Sequence, residues 1–210
     1  MSVIPPPDAV QALFSRQGDY AFARWGRPIV PVAFGIEDET LRVLKGAIEA
    51  VVAVAGHATD EQDTELGANL MFFFCREWDD LLGVPNLDRM IEGLDGIVAR
   101  LKAGDANQYR TFRFDDQGAI RAAFVLLRVD DVLAEMPADV LALEQAARVM
   151  LLWGDGASEQ GLLARSAEGH VVLRAEIAGI LRAAYDPIMP HAARDASHGL
   201  RLWARLQANA

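Results

Sequence analysis

Apolar residues are densest between Asp139 and Trp153 (DVLALEQAARVMLLW), and they recur there at helical spacing. On a helix, Val140, Leu143, Ala146, Ala147, Met150, Leu151 and Trp153 share one broad face. Leu141, Val149 and Leu152 widen it nearly all the way round. A helix so apolar is predicted to lie inside the protein and to centre the core, since each large side chain it buries contributes roughly 1.5–3 kcal/mol. Its polar residues are Glu144, Gln145 and Arg148, and the first and last of these are one turn apart and spaced to pair.

The rest of the chain alternates between two periods. Ile29 to Phe34 reads as a short strand in which Pro31 favours a sheet edge or a strand end. Leu41, Leu44, Ile48, Val51, Val52 and Ala55 mark a helix from Asp38, closed by Gly56. The polar stretch His57 to Gly67 predicts a solvated acidic loop, and the continuous run Ala68 to Cys75 a buried strand. Leu87 to Leu101 predicts a second amphipathic helix, stopped near Gly104. Tyr109 to Phe114 and Ile120 to Val129 flank the turn DDQG and predict a hairpin. The Gly- and Ser-rich stretch from Gly154 to His170 reads as a long surface loop. Helices are expected over Val172 to Tyr185 and, after a break at Asp186 and Pro187, over Pro190 to Gln207. The first 27 residues, with Pro5, Pro6 and Pro7 and a short helix from Asp8 to Arg16, read as an arm laid on a single domain covering 28 to 210.

Composition narrows the function classes. A formal charge of −10 at 210 residues argues against binding nucleic acid, which needs a clustered basic surface, and against an anionic membrane surface. No apolar run approaches the roughly 20 residues of a membrane-spanning helix. The start, MSVIPPPDAV, has neither the basic residues nor the apolar core of an export signal, so a cytoplasmic location is expected. The single thiol, Cys75, lies in the run NLMFFFC, where a small buried hydrophobe is expected rather than a nucleophile.

Several stretches carry a resemblance: RWGRPIVPVAF, GANLMFFF, YRTFRFDDQGAIRAAFVLL, RVMLLWGDG and LRAEIAGILRAAYDPIMP, the last with Leu181, Arg182, Tyr185, Asp186 and Pro187. Over roughly residues 22 to 206 the chain resembles a bacterial family of zincin-like domains, the domain-of-unknown-function family 2927. The resemblance implies an α+β fold: a zincin-like mixed sheet with packed helices and a helical C-terminal part. Proteins of that family look exported and often carry several cysteines, a pattern this chain departs from.

In zincins the central helix carries HExxH, because two histidines four apart can grip one zinc while the glutamate activates its water. This sequence contains no such motif. Registered by its LLWGDG ending, the helix has Gln145 and Val149 at the two histidine positions and Ala146 at the glutamate position, so neither a metal nor another cofactor is expected. His191 and His198 stand too far apart on a helix to share an ion, and His170 with Glu168 makes a poor site. The acidic run Asp60, Glu61, Asp63 and Glu65 lacks the glycine and ligand order of a calcium loop. No catalytic residue is assigned. The reading favoured is a catalytically inactive zincin-like domain that binds a protein or small-molecule partner in a groove near Glu144, Gln145, Trp153, His170 and Asp186. The alternative is a divergent, peptidase-like hydrolase with a relocated site near the 154–170 loop, using Glu144, Glu168, His170 or Asp186. A third possibility, a subunit of a larger assembly, would show an exposed apolar patch of several hundred Å².

Overall fold

The computed structural model describes residues 4–208. In chain order its elements begin with α1 (Pro7–Ala12), β1 (Ser15–Arg16), β2 (Asp19–Tyr20), β3 (Phe22–Ala23), β4 (Pro31–Phe34), α2 (Asp38–Ala55) and β5 (Leu70–Cys75). A 3-10 turn over Trp78–Gly83 leads to α3 (Leu87–Met90), α4 (Leu94–Ala103), β6 (Gln108–Phe114) and β7 (Ile120–Arg128). There follow α5 (Asp131–Ala134), α6 (Ala138–Val149), α7 (Asp155–Gln160), β8 (Leu163–Arg165), β9 (Val171–Leu173), α8 (Ala175–Ala184), β10 (Ala192–Ala193) and α9 (Ser197–Ala208).

The main sheet has the order β4-β5-β7-β6, with β4, β5 and β7 parallel and β6 antiparallel at one edge. The chain is therefore α+β with a mixed sheet, as expected. The continuous apolar runs of β5 and β7 follow from burial on both faces. Leu70, Phe72, Val125 and Leu127 face a core completed by α2, α6 and α8. Phe73, Phe124 and Leu126 point the opposite way, against α3, α4 and the 3-10 turn. Pro31 sits in edge strand β4, where its missing N–H breaks no ladder. The DDQG hairpin forms as predicted: Asp115 accepts from the backbone N–H groups of Gln117 and Ala119, both at 2.9 Å.

Four readings of the sequence are corrected. Residues 4 to 27 are no arm, and the first three residues of that expected segment lie outside the described residues. Val10, Leu13, Phe14, Phe22 and Trp25 are fully part of the main core, β3 pairs with β10, and Arg24 and Trp25 bridge to Leu151 and Ile120. The helix expected over Leu87 to Leu101 is two, parted at Gly93, whose φ of 68° is left-handed. The 154–170 stretch is not one loop, because it folds into α7 and the start of the β8–β9 hairpin. Residues Val172 and Leu173 belong to that hairpin, and residues Ala192 and Ala193 to a strand, so α8 and α9 start later than their apolar periodicity suggests.

Candidate functional site

The end of α6 is where the chain's most recognisable stretches meet. A helix leaves its last carbonyls without partners inside itself, and a buried end must find donors elsewhere. Three aromatic side chains supply them. The Trp153 indole donates to the Ala147 carbonyl at 3.0 Å, the Trp25 indole to that of Val149 at 2.8 Å, and the Tyr185 hydroxyl to that of Met150 at 2.7 Å. Burial pushes the Tyr185 phenol well above its ordinary range, so it remains a donor. The Arg24 guanidinium lies over the Tyr185 ring at 5.3 Å and donates to the Met189 carbonyl. Beyond the helix, Gly154 and Gly156 lie against the backbone of Ala12 to Ser15 so closely that a side chain at either would collide with it. The indole, phenol and glycine groups of the RWG, LLWGDG and YDP stretches are therefore a packing device that closes the helix.

One turn earlier, α6 meets the inner side of β6, and the chemistry changes. Alternation along β6 sends Gln108, Arg110 and Phe112 to the same face of the sheet. The Arg110 Nη2 donates to the Gln145 amide oxygen at 2.7 Å and to the Gln108 amide oxygen at 2.8 Å. The Gln145 amide donates to the same Gln108 oxygen at 2.9 Å. Both partners of this guanidinium are neutral. Among the described residues no carboxylate forms an ion pair with it, and its Nε is buried without an acceptor. Burial, and after it the nearby Arg148, lower the Arg110 pKa to about 10 against the opposing pull of Glu144, so the group is cationic at neutral pH. A buried charge without a counter-ion is costly and concentrates at functional sites.

Arg110 lines a polar cavity of about 300 Å³, together with Arg16, Arg148, Leu152, Trp153 and Ser158. Arg148 is neutralised by Glu144 at 2.9 Å, the pairing expected from their spacing. Arg16 is exposed, 3.8 Å from Asp155 and bonded to the Trp153 carbonyl. Three arginines thus converge in a chain whose net charge is −10. A larger cavity of about 800 Å³ lies beside edge strand β4, lined by Phe34, Met71, Phe73, Val84 and Met90. It is almost wholly apolar and offers little to fix a ligand's orientation.

The residues singled out in the sequence part company here. Gln145 is fully buried and joined to Arg110, and Glu144 is on the same helix beside Arg148. Trp153 is mostly buried, stacked on Phe14 at 5.5 Å, and forms one wall of the polar cavity. His170 lies exposed where β8 turns into β9, with Glu168 on the same turn. Asp186 is bonded to Arg205 at 2.6 Å and accepts from the Ile188 N–H, which hold its carboxyl below the usual range. Among the described residues no hydrogen bond or ion pair joins any two of Glu144, Glu168, His170 and Asp186. Cys75 is buried and its thiol is pushed up to about 11. The sequence reading missed Arg110 and Gln108. Their signal was present: two polar residues at alternate positions of a strand flanked by apolar ones, on the side facing the core helix.

A zinc does not fit the turn of α6 that the resemblance singles out. Val149 has no ligand atom and is fully buried, Ala146 is equally buried, and the Gln145 oxygen already accepts from a cation. Among the described residues no three His, Cys, Asp or Glu side chains are grouped to hold an ion, and no helix is long and apolar enough to cross a membrane. Comparison with family models, curated proteins and solved structures finds no match to this chain.

Proposed function

We propose that this chain is a metal-free, zincin-like binding domain whose recognition groove runs between β6 and the second half of α6. The order of elements supports the architecture: a strand, a helix, further strands ending in a hairpin, and a buried helix followed by a helical end. The observation that carries the functional reading is Arg110. Its guanidinium lies against Gln145, the position where an active relative would place its first zinc-binding histidine, so a fixed organic cation stands beside the turn that would hold a metal. A second cation there would be repelled. The groove keeps a wall of Trp153 and Leu152, polar groups and an opening, which suit a small molecule or the end of a peptide.

The test is metal uptake. The purified chain is dialysed against zinc, freed of excess and assayed for bound metal, with Gln145→Ala beside it. Trace zinc in both is expected. Stoichiometric zinc in the wild type that Gln145→Ala abolishes overturns the reading.

A further inference from the structure

We propose that the cavity between β6 and α6 receives the carboxylate group of its ligand, with the Arg110 guanidinium as counter-ion. This rests on the binding-domain reading above and assigns the ligand's chemistry.

The charge at the site sets the ligand's charge. Arg148 is already paired with Glu144, and Arg16 is an exposed group 3.8 Å from Asp155 whose charge water screens. Arg110 remains with two amide oxygens, leaving one uncompensated positive charge. A monoanion balances it. A phosphate dianion would bring a surplus charge close to Glu144 and is disfavoured. The geometry agrees, since both of the Arg110 hydrogen bonds use Nη2 and Nη1 makes none among the described residues, while Nε is enclosed without an acceptor. A planar guanidinium with free donors matches a planar carboxylate. The two glutamines account for the rest of the arrangement. Their amide dipoles hold the guanidinium in place without cancelling its charge, which a carboxylate partner would do. The Ser158 hydroxyl is at the cavity wall as a further donor, and Leu152 and Trp153 offer apolar surface to the body of the acid. The ligand class is thus a carboxylate on an apolar or aromatic body, carried by a free organic acid or by the last residue of a peptide.

The experiment titrates the zinc-free full chain with benzoate, benzamide, inorganic phosphate, and a short peptide ending in phenylalanine as either free acid or amide. Binding is read by calorimetry and by the Trp153 indole N–H resonance. Benzoate or the free-acid peptide is expected to saturate with a dissociation constant at or below about the millimolar range, whereas the neutral amides bind at least tenfold more weakly. Which of the two acids binds tighter identifies the source. Arg110→Gln is expected to weaken the acids at least tenfold while keeping the wild-type fold by circular dichroism. Arg148→Gln, whose charge is already matched, should change binding less than Arg110→Gln does. Equal binding of acids and amides, tighter binding of phosphate, acid binding unchanged in a folded Arg110→Gln, or no saturable binding of any probe overturns the proposal. If the chain binds zinc and acids bind only to the zinc form, the metal-free reading falls as well. Absent acid binding in a chain that takes no zinc overturns the carboxylate assignment alone.

Discussion

The two halves of α6 solve opposite problems. At its C-terminal end every exposed carbonyl named above has a donor from a rigid aromatic side chain, and the interior is closed by Phe14, Trp25 and Trp153. One turn back, a half-buried guanidinium rests against neutral amides with a donor to spare. The first arrangement is complete as it stands, and the second leaves a cation with only neutral partners. Among the described residues Arg110 Nε is one of five enclosed side-chain nitrogens without a partner, and Arg110 also lines the polar cavity. The stretches that stand out in the sequence and the candidate site therefore do not coincide here. The aromatic motif maintains the helix end, and an unremarked strand arginine supplies the charge.

The sharpest test of that contrast is at Trp25. Trp25→Ala removes a fully buried side chain and leaves the Val149 carbonyl without its donor, so it is expected to lower stability by roughly 3–5 kcal/mol in urea unfolding. Tyr185→Phe deletes only the hydroxyl that the Met150 carbonyl and the Trp25 N–H share, and about 1–3 kcal/mol is expected. If Trp25→Ala costs less than 1 kcal/mol, the helix end is not the closed unit described here.

The second test concerns pH. His198 is buried between Tyr20, whose hydroxyl lies 2.7 Å from its Nδ1, and the Phe22 ring, and burial lowers its pKa to about 4. The unfolded chain protonates this group near 6.5 and the folded chain does not, so stability is complete above pH 6.5 and falls as pH drops toward 4, by about 3 kcal/mol. Urea midpoints measured at pH 7.5 and pH 4.5 check this. His57 and His191, both lowered by burial, act in the same direction, so His198→Gln should flatten the slope without abolishing it. A slope identical in the variant removes His198 from the account.

The smallest effect is predicted at the candidate site. Arg110→Met removes a half-buried charge and costs the Gln145 and Gln108 oxygens one donor each. Stability is expected to stay level or rise by up to about 2 kcal/mol. A fall of several kcal/mol in thermal or urea unfolding would make Arg110 a structural cation and erase its difference from the helix end.

How much of this was legible in the sequence depended on the distance over which each feature is decided. The span of α2 and its stop at Gly56, the run of β5 and the turn at Asp115 to Gly118 follow from periodicity and turn chemistry within a few residues, and all three formed as read. Leu87 to Leu101 misled because the apolar spacing continues straight through Gly93, where the backbone breaks. The first 25 residues misled because three prolines announce irregular backbone and say nothing of burial. Their place was decided by Gly154, Gly156 and α9, far along the chain. Gln145 was noticed as a departure from a metal-binding pattern, yet its partner is 35 residues away on another strand.

The spans of α2 and β5, the turn at Asp115 to Gly118 and the placement of Pro31 at an edge belong to the sequence by itself, because periodicity and turn chemistry are decided within a few residues. Which side chains would close the end of α6, and that Arg110 would reach the core with only amides for company, were settled by the tertiary structure. Pairing across strands and burial of charge depend on which distant residues share a small volume, and no local pattern carries that information.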